Sequence, residues 1–130
     1  MSAVLDASAV LALLFGEPGA EAVVDHITSG AVISTVNLAE VATVLVRNGR
    51  NPGTVLDPLR AQVDVIAFTD TDAITTAQLY PQVSPKGLSL GDRACLALAR
   101  RLDAPAVTAE HLWTDLKLDI RIDTIRTRHR

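Results

Sequence analysis

The chain contains a single cysteine, Cys95, so no internal disulfide can staple it. Its neighbours Ala94, Leu96 and Leu98 mark Cys95 as a small buried hydrophobe rather than a reactive thiol. There is no apolar run of the roughly 18 residues that a bilayer-spanning helix needs. The most apolar opening stretch, 4–15, is interrupted by Asp6 and Ser8 and closes at Gly16. That stretch also lacks the basic leader and small-residue cleavage site of a signal peptide, and a cytoplasmic location is expected. Basic residues are not in excess: 12 Lys and Arg stand against 15 Asp and Glu, a net charge of -3, which is not the overall profile of a nucleic-acid binder. Their distribution qualifies that reading. Lys117, Arg121, Arg126, Arg128 and Arg130 crowd the end of the chain, where they form either a solvated tail or a face for phosphate. No internal repeat or low-complexity tract is present. No G-x-G-x-x-G follows the first strand candidate, which argues against dinucleotide binding, and His26, His111 and His129 show no metal-ligand spacing.

What is present suits one globular domain spanning 1–130: 48% of the residues are hydrophobic and 21% charged, and the apolar positions fall in short clusters broken by turn residues. Brief β-branched runs alternate with amphipathic stretches, the pattern of an α/β domain with a largely parallel sheet. The runs at 3–5, 31–33, 65–68, 106–108 and 120–122 are strand candidates, too short for helices and mostly apolar enough to be buried on both faces. Helices are predicted over 8–15, 19–28 and 38–47, with another starting at Asn51 and Pro52. A further helix is capped by Asp70 and Asp72 and runs to Leu79, and the last is capped by Ser89 and runs to Leu102. The segment 80–87, with two prolines, reads as a long loop and a flap near the site.

Four acids stand where acids are costly. Asp6 directly follows the first strand, at the carboxyl edge where doubly wound sheets place ligands; capping of the next helix is its simpler role. Glu40 lies in the most apolar helical stretch, so it is either paired with Arg47 or turned into a cleft. Asp92 follows Ser89 by three, as in a capping box, yet the first turn of its helix also faces the strand ends. Glu110 comes just past the fourth strand, with Thr108 as a helix cap or a hydroxyl near a metal. Like charges about 4 Å apart repel by on the order of 4 kcal/mol at an effective dielectric near 20. No Lys or His cluster is placed to neutralise them. Divalent cations are the simplest remedy, and an oxygen-only donor set favours Mg²⁺ or Mn²⁺ over Zn²⁺. In a two-ion site one ion activates the attacking water and the other stabilises the departing oxygen of a phosphodiester.

Three segments carry a resemblance: Val4-Leu5-Asp6-Ala7-Ser8-Ala9, the stretch ending in Asn37-Leu38-Ala39-Glu40-Val41, and Leu88-Ser89-Leu90-Gly91-Asp92-Arg93-Ala94-Cys95-Leu96-Ala97-Leu98-Ala99. Their order and spacing resemble the motifs of the PIN-domain nucleases, and within them the VapC-type toxins of toxin–antitoxin operons. The resemblance implies a three-layer α/β/α sandwich around a five-stranded, largely parallel sheet. It also implies metal-binding roles for Asp6, Glu40 and Asp92, and a hydroxyl, Ser8, near the metal. The fourth acid departs from the pattern, since Thr108-Ala109-Glu110 stands where Thr-x-Asp is common, and Asp115 is an alternative. One or two Mg²⁺ or Mn²⁺ ions, cleavage of structured RNA such as tRNA, a homodimer and an inhibiting antitoxin follow from the same resemblance. Arg93 and Arg47 are candidates for substrate phosphate. Leu11, Leu14 and Phe15 serve either the core or the antitoxin. A PIN-like module that binds RNA without turning it over is the competing reading.

Overall fold

The computed structural model describes residues 2–126. Five strands form one parallel sheet: β1 (Ala3–Leu5), β2 (Ala31–Ser34), β3 (Asp64–Ile66), β4 (Ala106–Thr108) and β5 (Ile122–Thr124), in the order β3-β2-β1-β4-β5. The helices are α1 (Ala7–Leu14), α2 (Ala20–Ser29), α3 (Thr35–Arg47), α4 (Pro52–Arg60), α5 (Asp70–Val83) and α6 (Leu90–Leu102).

Alternation along the strands builds the three layers. Ala3, Leu5, Ala31, Ile33 and Val107 point to one face and pack with Val10, Val23, Val41, Leu45 and Leu59 of α1 to α4. Val4, Val32 and Ala106 point to the other, against Leu79 and Val83 of α5, Leu96 and Leu98 of α6, and Trp113. Leu5, Ile33, Leu45, Leu79, Leu96 and Leu98 are fully buried, each contributing roughly 2 kcal/mol by leaving water. The chain winds outward from β1 to β2 and β3, then crosses to β4 on the opposite side of β1. The carboxyl ends of β1 and β4 therefore flank the point where strand order reverses, the crevice in which open α/β sheets bind ligands.

The structure moves several predicted boundaries. The third strand is Asp64–Ile66 rather than 65–68, and the fifth is Ile122–Thr124 rather than 120–122. Both are edge strands whose extent is set by the ladder with an inner neighbour, Val32 opposite Asp64 and Thr108 opposite Thr124, and not by their own apolar runs. Ile120 is buried in the second core but precedes the strand. α3 starts at Thr35, capped by Ser34, and α5 is capped by Thr69, with Asp72 accepting in turn from the Thr69 amide. The predicted loop over 80–87 is mostly helical. α5 continues through Pro81 to the buried Val83, and a 3-10 turn occupies Ser84–Lys86, because burying Val83 one turn after Leu79 outweighs the amide lost at proline. Gly19 has φ 97° and lies so near the chain end of β5 that a Cβ there would stand 2.5 Å from the Ile125 carbonyl oxygen.

Candidate active site

At the end of β1 the strand gives way to α1, and Asp6 is the N-cap: its Oδ1 accepts from the Ala9 amide at 2.8 Å. The hydroxyls of Ser8 and Thr108 also converge on this carboxylate, Ser8 at 2.8 Å and Thr108 donating to Oδ2 at 2.6 Å. Each hydroxyl has one proton. With both spent on Asp6, the 3.2 Å Ser8 to Thr108 separation is a contact rather than a third bond. The hydroxyl oxygens accept in turn, Ser8 from the Ala109 amide and Thr108 from the Glu110 amide. Asp6, Ser8 and Thr108 thus tie β1, α1 and β4 into one corner. Asp6 is 2% exposed, and no ion pair among the described residues involves it. Burial, opposed by the bonds from Thr108, Ala9 and Ser8 and reinforced by the nearby Asp92, pushes its carboxyl up to about 6.

Glu40 sits one turn past Asn37 on α3, half-buried. Its Oε1 accepts from Asn37 Nδ2 at 2.7 Å, and the same nitrogen donates to the Gly91 carbonyl at 3.0 Å. Burial raises the Glu40 carboxyl, Asn37 opposes the rise, and Asp92 adds to it. Asp92 is in the first turn of α6. One oxygen, Oδ2, accepts from the Ser89 amide at 3.0 Å while the Asp92 amide donates to Ser89 Oγ, a complete capping box. The capping box employs one oxygen of Asp92, and the residue also borders a hollow shared with Glu110. Asp6, Asp92 and Glu40 also act together on the fully buried Cys95, whose thiol is driven well up by burial first and then by these three acids. Three chain segments distant in sequence therefore bring carboxylates to one end of the sheet.

A sequence profile of the PIN domain matches residues 3–117. The chain belongs to the PIN domain family. No curated protein matches the sequence significantly. Among solved structures, the chain is similar to a chain of the VapBC2 complex of Rickettsia felis bound to a promoter DNA fragment, with TM-score 0.76 and 17% identity over 95% of this chain and 98% of that one. It is also similar to DNA-bound VapBC from Salmonella typhimurium, with TM-score 0.75 and 18% identity over 97% and 99%. The Mycobacterium tuberculosis toxin VapC20, which cleaves the sarcin-ricin loop, gives TM-score 0.72 and 17% identity over 92% and 98%. At these identities the likeness concerns the fold. Nuclease activity and use of divalent ions are general in the PIN family.

Among the described residues of this PIN domain, no three acidic, histidine or cysteine side chains form a ready-made ligand set. The chemistry of the donors nevertheless suits a hard divalent ion. They are oxygens only, Asp6 is a buried carboxylate facing neutral donors, and Asp92 disfavours charge on both Asp6 and Glu40. Glu110 is exposed and borders two hollows. One, of about 560 Å³, also touches Ser8, Leu11, Phe15, Val44 and Arg126; the other, of about 280 Å³, touches Lys86, Leu88, Asp92 and Trp113. Asp115 is exposed at the end of the 3-10 turn His111–Asp115 and borders neither. The cap envisaged at Thr108 does not form, since Glu110 precedes that turn and the Thr108 hydroxyl serves Asp6.

The arginines differ in their surroundings. Arg93 Nη1 donates to the Thr76 carbonyl at 3.0 Å and its guanidinium lies over the Tyr80 ring, so it braces α6 against α5. Arg47 is exposed at the end of α3, and no Glu40 to Arg47 pair forms among the described residues. Arg126 reaches the larger hollow, bonded to the Pro18 carbonyl and Glu17; Arg128 and Arg130 lie outside the described residues. Leu11 and Leu14 pack on the first core while Phe15 is 38% exposed. Sequence reasoning assigned no role to Asn37 or Gly91. The signal was a polar amide, one turn before a misplaced acid, in an otherwise apolar helix. No helix among the described residues is long and apolar enough to cross a membrane.

Proposed function

We propose that this chain is a Mg²⁺- or Mn²⁺-dependent endoribonuclease and the toxin of a toxin–antitoxin pair. The observation that carries the reading is the gathering of Asp6, Glu40 and Asp92 at the strand-order reversal, none of them in an ion pair among the described residues. Asp6, Asp92 and Glu40 would hold the metal, with Glu110 as the adjustable fourth donor. A bound divalent ion supplies charge neutralisation at the scissile phosphodiester and lowers the pKa of an attacking water.

The chain's own residues do the rest. Ser8 and Thr108 hold Asp6 in one rotamer, the capping box fixes Asp92 on the first turn of α6, and Asn37 fixes Glu40. Preset carboxylates need no reorganisation as charge develops during cleavage. The open groove past Ser8 and Glu110 has room for a strand of RNA, with Arg126 along its wall to meet phosphate. Structured RNA is the favoured substrate class by analogy with VapC20. The solved VapBC and FitAB assemblies of similar fold favour an antitoxin partner for this chain, and a homodimer is part of the same proposal.

The test is cleavage of RNA by the purified chain, freed of any partner, with Mg²⁺ or Mn²⁺. Cleavage is expected, with loss in chelator and in both Asp6→Asn and Asp92→Asn. Full cleavage by both variants or in excess chelator would sink the proposal. RNA binding without any turnover by the wild type would favour the non-catalytic module instead.

A further inference from the structure

We infer that Asn37 and Gly91 form a lock that seats the Glu40 carboxylate against the first turn of α6, which makes Asn37 a positioning residue for the divalent-ion site. The inference rests on Glu40 being a metal ligand, as proposed above.

Asn37 is 1% exposed, and its side-chain nitrogen has two protons to place. One goes to Glu40 Oε1 at 2.7 Å and the other to the Gly91 carbonyl at 3.0 Å. Both partners are acceptors only, so the amide can face them with its nitrogen alone; the flipped orientation would set oxygen against oxygen. Asn37 and Glu40 are three apart on α3 and share one face of the helix. A single buried amide therefore joins the acid of α3 to the backbone of α6, at the residue next to Asp92.

Gly91 completes the seat. Its backbone is not in the left-handed region, so nothing in its conformation calls for glycine. The space does: a Cβ at position 91 would overlap the Glu40 carboxylate carbon and both of its oxygens. The carboxylate occupies the volume a side chain would have filled. As mere packing between α3 and α6 this is a poor device, since apolar side chains would join two helices without drawing a carboxylate towards a carbonyl and a second acid. As a means of holding a ligand beside Asp92 it is economical.

Gly91→Ala separates the two roles. The atoms it displaces are the tip of a flexible side chain, and alanine is the better helix former, so the fold should be kept or strengthened. Chelator-stripped wild type, Gly91→Ala, Asn37→Ala and Glu40→Gln are titrated with Mn²⁺ by calorimetry, and melting is followed in parallel. Affinity should fall about tenfold or more in all three variants, the size expected for disturbing a ligand's support. Gly91→Ala should melt no lower than wild type. Neither Asn37→Ala nor Gly91→Ala should weaken binding further when added to Glu40→Gln. Without any metal, the Asn37 side-chain amide resonances should move in Gly91→Ala and in Glu40→Gln. Wild-type affinity in Asn37→Ala and Gly91→Ala beside weakened binding in Glu40→Gln would overturn the lock and leave the ligand reading standing. Additive losses on the Glu40→Gln background would also overturn it. Wild-type affinity in Glu40→Gln would remove the ligand reading, and the lock with it.

Discussion

Asp72 and Asp92 occupy the same local structure and lead different lives. Each is the third residue of its helix, each accepts a hydrogen bond from the amide of a hydroxyl N-cap, Thr69 in one case and Ser89 in the other, and each completes a capping box. Asp72 is then met by Arg101, whose Nε and Nη2 take both of its oxygens at 2.9 and 3.0 Å. Burial alone would raise the Asp72 carboxyl, but the Arg101 guanidinium and the Thr69 bonds outweigh it and hold the carboxyl below its ordinary range. Asp92 has no such partner among the described ion pairs and instead adds its charge to Asp6 and Glu40. The capping motif is therefore silent about function. What separates a structural acid from a candidate ligand is whether the tertiary fold brings it a cation or further acids.

The contrast breaks most visibly under substitution. Asp92→Asn should keep the fold and reduce RNA cleavage by at least about 10²-fold, the scale of losing one charge-stabilising group, as measured on end-labelled RNA with Mn²⁺. Asp72→Asn should leave cleavage unchanged.

Stability against pH sharpens it with opposite signs. Asp6 rises from 3.8 to about 6 on folding, so the folded chain holds the extra proton between those values and stability falls as pH rises through that window. At about 1.4 kcal/mol per unit the loss is about 3 kcal/mol in chelator, and it should vanish in Asp6→Asn when unfolding is followed in urea from pH 4 to 7. Asp72 behaves conversely. Its lowered carboxyl gives stability that is present above the ordinary Asp range and is lost as pH falls through the folded value. Asp72→Asn, which leaves Arg101 without its charged acceptor, should cost about 2 kcal/mol in the same experiment at neutral pH. The smallest difference is expected within the fourth acid: Glu110→Gln should weaken cleavage by about tenfold, while Asp115→Asn, which borders neither hollow, should not.

The same distinction governs what could be read from sequence. β1 and β4 match the predicted 3–5 and 106–108 because both are inner strands, buried along their whole length and short enough for the local run to set their bounds. The edge strands are misplaced because Asp64, Asp123 and Thr124 are recruited by a neighbour's ladder, which no local pattern encodes. Caps at Asp6, Asn51 and Ser89 were legible since they depend on residues within one turn. Contacts made across the fold were not: the Arg93 brace on α5, the Arg101 pair with Asp72 and the Asn37 link to Gly91 each span 17 residues or more. Glu40 stood out because an acid is unexpected in so apolar a helix, whereas Asn37 and Gly91, which hold it, looked ordinary.

Mn²⁺ binding to the Asp72→Asn and Asp92→Asn proteins, titrated side by side against wild type, tests the central claim most directly. Wild-type affinity in Asp72→Asn with binding lost or severely weakened in Asp92→Asn is the predicted result. Equal binding by the two variants would contradict it.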